Sequence, residues 1–287
     1  MQTEGRILRG ISSFYTVETD SDIITCKARG VFRKNGITPL PGDWVTVTPG
    51  PAGEEGTIDA VHPRRNALVR PPITNLDQLF VITSVCEPNP NTLVTDHLIA
   101  IAEHAGIEPI VVISKSDLGD VEPLLRVYRQ AGFQVFCTGK GKEGAVEEIR
   151  EMLRGRVNAF AGNSGVGKST LLNAIDPSLA IETAQISRKL GRGRHTTRHV
   201  ELYKSCGGYV ADTPGFSALD IENGAFIHKD DLQYCFREFA PFLDECRFGP
   251  SCAHVRDKGC KVLEAVQAGM IPRSRHESYV MLYEQAK

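Results

Sequence analysis

Residues 157–170 read VNAFAGNSGVGKST, and this stretch decides the fold of the middle of the chain. Its second half fits the pattern G-x-x-x-x-G-K-[ST], in which glycines let successive backbone N–H groups point at phosphate oxygens. The apolar run VNAFAG precedes the pattern, and the helix-forming run STLLNAI follows it. Because strand, loop and helix occur in the required order, we interpret the stretch as a phosphate-binding loop rather than a chance glycine-rich turn.

The polar groups of this loop have distinct expected roles. Lys168 should reach the β- and γ-phosphates of a nucleotide, and the hydroxyl of Ser169 should hold Mg²⁺. The start of the following helix also favours an anion. The predicted nucleotide-binding residues are Gly162, Asn163, Ser164, Gly165, Val166, Gly167, Lys168, Ser169 and Thr170.

A second phosphate-site segment lies downstream, where residues 207–215 read GGYVADTPG. An apolar strand ends there at Asp212, which we expect to hold Mg²⁺ through water. The N–H of Gly215 is expected to contact the γ-phosphate. Such a D-x-x-G pattern alone is usually only a turn, but its place after a buried strand and a phosphate loop favours the functional interpretation.

Residues 188–198, between these segments, are rich in glycine and basic residues. They predict a mobile loop that closes over the γ-phosphate, with Thr196 or Thr197 as a second hydroxyl on Mg²⁺. A solvated basic loop is the alternative.

A base-recognition motif precedes the phosphate loop instead of following it. Residues 110–117 read IVVISKSD, an apolar strand that ends in four polar residues. A carboxylate at Asp117 would accept hydrogen bonds from guanine N1–H and the 2-amino group, and Lys115 would lay its aliphatic stem along the base. TGKG at 138–141 would add backbone contacts to the guanine oxygen. The predicted base-site residues are Ser114, Lys115, Ser116 and Asp117.

The order of the motifs predicts a circular permutation of a GTP-binding fold. Ligands bind at the carboxyl ends of the strands in open α/β sheets, whatever the order of those strands along the chain. Strand and helix patterns alternate from about residue 70 to 220, which predicts a parallel sheet with helices on both faces. The alternative is that SKSD is a chance loop.

The chain is expected to be multidomain, with three parts. Residues 1–68 carry short runs rich in β-branched and aromatic residues, which favour an OB-type barrel over another small all-β domain. Residues 69–222 form the permuted α/β domain. Residues 223–287 lack strand patterns and predict helices around a Cys/His cluster.

That cluster consists of Cys246, Cys252, His254 and Cys260. Three sulfurs and one imidazole match a closed tetrahedral structural zinc site, which leaves no position for a catalytic water. Unpaired buried cysteines and an iron–sulfur cluster are the alternatives.

Composition limits the partners and the compartment. The 287 residues carry a net charge of −2, so a nucleic-acid site must be a local patch. No apolar stretch approaches the 18 residues of a membrane span, and no leader peptide is evident, so we expect a cytoplasmic protein and, with nothing pointing to an oligomer, a monomer. Phe14, Tyr15 and Phe32 are candidates for stacking RNA bases, although such aromatics more often fill a barrel core.

The whole set of motifs resembles one family, the circularly permuted GTPases called RsgA that depend on the small ribosomal subunit. The resemblance rests on SKSD, GNSGVGKST, GRGRHTTRHVELY, ADTPGFS, RRNALVRPP, ARGVFRKNGITPLPGDWV and CRFGPSCAH. It implies an OB barrel, a permuted GTPase domain and a zinc domain. It also implies partners, GTP or GDP and the small ribosomal subunit with its rRNA, and a role late in maturation of that subunit with hydrolysis promoted by it.

Two positions depart from the family pattern. Ser114 stands where the family usually has asparagine, and its shorter side chain is expected to weaken the tie between the base motif and the phosphate loop. Five residues separate Cys246 from Cys252, one more than usual.

Hydrolysis needs a group that orients the attacking water. Many GTPases use a glutamine just after D-x-x-G, but this chain has Phe216 there. We expect His195 to orient the water, as the resemblance also implies; an RNA-contacting or loop-packing role is the alternative. A P-loop kinase and an RNA-binding module with a vestigial GTPase are the rival functions. The first lacks a visible general base, and the intact phosphate motifs argue against the second.

Overall fold

The structure is a computed structural model that describes residues 2–34, 36–51, 54–179, 200–211 and 227–286. Its strands are β1 Thr3–Ile11, β2 Phe14–Thr19, β3 Ile23–Ala28, β4 Trp44–Thr48, β5 Gly56–Val61, β6 Ala67–Leu68, β7 Ile73–Thr74, β8 Gln78–Ser84, β9 Glu108–Ser114, β10 Val135–Cys137, β11 Val157–Ala161, β12 Leu202–Ser205 and β13 Gly208–Ala211.

The α-helices in these ranges are α1 Gly30–Lys34, α2 Thr92–His104, α3 Glu122–Gln130, α4 Glu143–Met152, α5 Lys168–Ile175, α6 Lys229–Leu232, α7 Ala240–Leu243, α8 Lys261–Gln267 and α9 Arg273–Gln285. Short 3-10 turns occupy Pro177–Leu179, Gln233–Cys235, Arg237–Phe239 and Gly249–Ser251. None of the described helices combines the length and the apolarity that a bilayer crossing requires.

Strands β1 to β5 close into a barrel in the order β1-β2-β3-β5-β4. Strands β3 and β5 pair parallel and the other neighbours antiparallel, which confirms the expected OB-type barrel. Its interior is apolar because alternate residues of each strand point inward, as Val45 and Val47 of β4 do.

One segment of the barrel departs from the sequence expectation. The run IITCKARGVF, residues 23–32, is one of the short runs that favour an all-β domain, but β3 ends at Ala28 and helix α1 follows. The physical reason is the destination of Phe32, whose ring is 7% exposed and packs into the barrel core. A helical turn delivers that ring to the barrel interior.

Six strands form the central sheet in the order β10-β9-β8-β11-β13-β12. All neighbouring pairs are parallel except the pair of β12 and β13. The segment β8–β10 precedes β11 along the chain yet lies on the far side of it from β13. This is the reordering that the motif order predicts, and it confirms the permuted α/β fold.

The sheet is buried on both faces, so its strands read as continuous apolar runs. Leu79 and Val81 of β8 belong to the core on one face, and Phe80 and Ile82 to the core on the other. The rings of Phe80 and Phe160 stack at 4.6 Å across β8 and β11. This packing fixes the carboxyl ends of the two strands side by side.

The C-terminal part is helical, as predicted, and shares its core with the central domain. Buried residues of α2 and α9 belong to one apolar cluster. At its edge the guanidinium of Arg275 is fully buried and donates to Asp96 of α2 at 2.8 Å and to Glu238 at 2.7 Å. The expected boundary at 222/223 lies outside the described residues, and the division at 68/69 stays a prediction.

Candidate functional site

The two predicted halves of the nucleotide site meet at one edge of the sheet. SKSD begins at the last residue of β9, and the glycine-rich loop follows β11; β8 lies between these parallel strands. Both segments therefore occupy the carboxyl edge, where ligands of open α/β sheets bind.

The glycine-rich loop has a shape that only glycine allows at its first position. Gly162 has φ of +151°, and a Cβ there would lie 2.3 Å from the carbonyl oxygen of Ile82. Gly167, with φ of +96°, is the N-cap of α5. The loop therefore passes directly from a buried strand into a helix whose first N–H groups are unpaired within the helix.

The amine of Lys168 is turned into this loop. It donates to the carbonyl oxygens of Gly162 at 2.6 Å and Asn163 at 3.0 Å. Burial lowers the pKa of the Lys168 amine to about 8. A cation that is desolvated in this way gains from a neighbouring anion, because the anion favours its charged form.

Ser114 ties the base motif to the phosphate loop. The residue is 5% exposed. Its hydroxyl lies 2.6 Å from the carbonyl oxygen of Val166 and 3.1 Å from that of Thr83. A short hydrogen bond from Ser114 therefore connects the base motif to the phosphate loop.

The predicted base pocket includes the TGKG segment. The carboxylate of Asp117 accepts a hydrogen bond from the backbone N–H of Lys140 at 3.1 Å. A Cβ on Gly139 would lie 2.3 Å from the same carboxylate, so the two loops approach closely. The N–H of Ser116 donates to the carbonyl oxygen of Thr138 at 3.0 Å, which joins the loops a second time.

The loop after β8 borders both halves of the site, which the sequence motifs did not indicate. The Lys115 amine donates to the carbonyl oxygen of Glu87. An added Cβ on Gly165 would contact the ring of Pro88 at 3.7 Å. The segment holds no nucleotide-binding pattern, so only the strand order reveals its position between the two loops.

The remaining predicted phosphate-site residues divide into two groups. Ser169 and Thr170 lie in the first turn of α5, where the former is half-buried and the latter exposed. His195, Thr196, Thr197, Asp212 and Gly215 lie outside the described residues. Strand β13 nevertheless ends at Ala211, immediately before Asp212 in the sequence.

The Cys/His cluster assembles as a compact set of donor atoms. One ligand atom each from Cys246, Cys252, His254 and Cys260 lies within 4.8 Å of all the others, and all four residues are buried. Three thiols and an imidazole in this arrangement suit a four-coordinate ion of the zinc type. Burial raises the pKa of the Cys260 thiol to about 12, and a bound cation would reverse that effect by favouring the thiolate. The cluster could therefore hold a metal ion.

Gln233 orients the imidazole of this cluster. Its amide nitrogen donates to backbone carbonyls of Asp230 and Pro250, which leaves its oxygen 2.9 Å from Nε2 of His254. Nε2 must then carry the hydrogen, so Nδ1, which lies 3.3 Å from the Cys260 sulfur, is the free ligand atom. Gln233 lies 13 residues before Cys246, and no spacing rule points to it.

The aromatic residues that the sequence offers for RNA stacking divide between the inside and the outside of the barrel. Tyr15 and Phe32 are buried in its core. Phe14 is 39% exposed, and the amine of Lys27 lies 4.9 Å from its ring centre. Of the three candidates, Phe14 alone offers an open ring.

Two family models match the chain. The model described as RsgA GTPase matches residues 61–222, and the model described as RsgA N-terminal domain matches residues 4–58.

Curated relatives match over nearly the whole chain. One from Caldanaerobacter subterraneus subsp. tengcongensis, named small ribosomal subunit biogenesis GTPase RsgA, is 45% identical over 99% of this chain and 96% of its own length. A relative of the same name from Alkaliphilus metalliredigens is 40% identical over 99% of this chain and 98% of its own.

Two solved structures share the fold. YloQ, described as a circularly permuted GTPase, has a TM-score of 0.81 at 34% identity over 99% of this chain and 95% of its own. YjeQ from Thermotoga maritima has a TM-score of 0.83 at 34% identity, over 99% of this chain and 98% of its own.

Proposed function

The chain belongs to the RsgA GTPase family and is a GTP hydrolase, and from that premise we propose that it assists late maturation of the small ribosomal subunit in the cytoplasm. In this proposal the subunit stimulates hydrolysis of GTP to GDP and phosphate, and the protein acts as a monomer. The relatives' printed name, small ribosomal subunit biogenesis GTPase, supports the partner.

One observation carries the nucleotide assignment. The hydroxyl of Ser114 lies 2.6 Å from the Val166 carbonyl oxygen. This hydrogen bond supports a single site made of the base motif and the phosphate loop, which follow each other along the chain in the reverse of the usual order. Asp117 then selects guanine, Lys115 lies along the base, and Lys168 binds the β- and γ-phosphates.

The hydrolytic roles extend to residues on both sides of β12 and β13. Ser169, Thr196 or Thr197, and Asp212 hold the Mg²⁺ that accompanies GTP. Gly215 contacts the γ-phosphate through its N–H. His195 orients the attacking water, since Phe216 at the usual glutamine position has no group that bonds to water.

The C-terminal cluster binds one structural Zn²⁺ through Cys246, Cys252, Nδ1 of His254 and Cys260. All four donors are protein groups, so the ion supports folding and leaves no position for substrate. We place rRNA contacts on the barrel and on this C-terminal part.

The test is GTP hydrolysis by the purified protein, alone and with purified small or large ribosomal subunits. ATP serves as the nucleotide control and His195→Ala as the variant. The proposal requires strong stimulation by small subunits only, selectivity for GTP, and loss of stimulation in the variant. Stimulation that survives in His195→Ala would remove that residue from the mechanism. Equal stimulation by large subunits would remove the proposed partner.

A further inference from the structure

The barrel covers the open edge of the central sheet. Strand β12 is the edge strand of that sheet, and Glu201, just before it, forms an antiparallel backbone bridge with Arg9 of β1. The side chains of the same two residues form an ion pair at 3.4 Å. The β12–β13 hairpin, at the edge of the sheet, therefore contacts the barrel through its outer strand.

Glu18 of β2 makes a largely buried polar contact across this junction. Its side chain is 10% exposed, and its carboxylate accepts a hydrogen bond from the hydroxyl of Tyr209 at 2.6 Å. The amine of Lys204 pairs with the other carboxylate oxygen. Lys204 and Tyr209 stand opposite each other in the hairpin register, so one barrel carboxylate holds both strands of the hairpin.

The ring of Tyr209 is held by the barrel as well. The guanidinium of Arg6 lies 4.9 Å from the Tyr209 ring centre and 4.7 Å from that of Trp44. Cation–π contact fixes the face of the Tyr209 ring, and Glu18 fixes its hydroxyl. Residues of the barrel thus contact both the ring face and the hydroxyl of Tyr209.

We propose that Glu18 is a positioning residue for GTP hydrolysis, acting through Tyr209 on the strand that leads to Asp212. Tyr209 precedes Asp212 by three residues, and β13 ends at Ala211. The inference rests on the proposed function, in which Asp212 helps to hold Mg²⁺. Loss of this contact should therefore slow hydrolysis, because displacement of a reacting group by about 1 Å lowers rates severely.

The test compares steady-state and single-turnover GTP hydrolysis by the wild-type protein and by Tyr209→Phe, each alone and with small ribosomal subunits. Phenylalanine keeps the ring against Arg6 and removes only the hydrogen bond to Glu18. We expect kcat to fall about tenfold, the factor for roughly 1.4 kcal/mol, while GDP affinity and KM stay within about twofold. Base and phosphate loops follow other strands, so a general folding defect would change binding too.

Two further variants make the outcome decisive. Glu55→Gln is the matched control for Glu18→Gln, because Glu55 is also a barrel carboxylate and its ion pair with Lys27 is exposed. The double variant of Glu18→Gln and Tyr209→Phe should be no slower than the slower single variant, since both act on one contact. The proposal is overturned if Tyr209→Phe keeps the wild-type kcat. It is also overturned if Glu55→Gln lowers kcat as much as Glu18→Gln does.

The same data separate this inference from the proposed function. If small subunits fail to stimulate the wild-type protein, the proposed partner is wrong. The role of Glu18 is then decided by the single-turnover rates of the free protein, where the Tyr209→Phe effect on kcat is still required.

Discussion

At the scale of the residue, Ser114 does with one hydroxyl what the family pattern assigns to an asparagine. Its Oγ lies 2.6 Å from the Val166 carbonyl oxygen in a buried setting. Side-chain length alone predicts a weaker tie than asparagine would give, and that comparison stays a prediction. The distance between the loops is visible only in the structure. That distance depends on β8, which separates the two strands that carry the motifs.

Replacing Ser114 by alanine should therefore weaken nucleotide binding. Loss of the hydrogen bond to the Val166 carbonyl costs about 1 to 2 kcal/mol, or roughly five- to thirtyfold in the Kd for GDP. Titration with a fluorescent GDP analogue measures this change in Kd. Ser251→Ala, which removes an exposed hydroxyl bonded to a local carbonyl at 2.8 Å, is the matched control. An unchanged Kd in Ser114→Ala would show that the tie is dispensable.

The amine of Lys168 should make nucleotide binding dependent on pH. Burial lowers its pKa to about 8 in the free protein, and bound phosphates raise that pKa again by favouring the charged form. GDP affinity should therefore fall as the pH rises through about 8, with proton uptake on binding. Calorimetry at about pH 8.5 in buffers of different ionisation enthalpy measures the protons taken up. Absence of uptake there would contradict the assignment.

At the scale of the element, apolar runs in the sequence located the buried strands of the central sheet. The runs QLFVITS and EPIVVIS coincide with β8 and β9. Strand β12 escaped detection because its middle residues, Tyr203 and Lys204, are exposed and give it no apolar run. Helix α4 was also missed, since only Ile149 of its ten residues is buried. Short amphipathic elements take their conformation from neighbours that a sequence pattern does not contain.

The metal loop depends on an element outside its own ligand pattern, the 3-10 turn that carries Gln233. Gln233→Leu removes the acceptor that orients His254 and keeps a similar volume. We expect Zn²⁺ affinity to fall about 10- to 100-fold, as for other outer-shell partners of metal-binding histidines, measured by competition with a chromophoric chelator. Gln285→Leu, at the exposed end of α9, is the control. Wild-type affinity in Gln233→Leu would remove that residue from the site.

At the scale of the whole molecule, the central and C-terminal parts share one apolar core, so we expect them to unfold as one cooperative unit. Arg275 of the C-terminal part lies fully buried at the junction with the central part. It pairs with Asp96 and Glu238 and lies 4.5 Å from the ring centre of Phe236. A division of the chain by sequence patterns cannot detect such a junction, because the paired residues are 179 positions apart.

Arg275→Met should destabilise the whole unit, not only the last helix. Two carboxylates would stay buried without their cation, which costs about 3 to 5 kcal/mol. Urea unfolding followed by circular dichroism should show one earlier transition for both parts. Arg273→Met, on the same helix but with an exposed side chain, should leave the midpoint unchanged. A separate early transition confined to the C-terminal part would contradict the single unit.

The pairing of Arg275 with Asp96 also has a consequence for synthesis of the chain. A ribosome produces α2 long before α9, so Asp96 leaves the exit tunnel with its buried partner still untranslated. Strands β8 and β9 cover part of α2 before then, but the carboxylate of Asp96 must remain in water until α9 supplies Arg275. The junction between the central and C-terminal parts is therefore completed only after α9 has been translated.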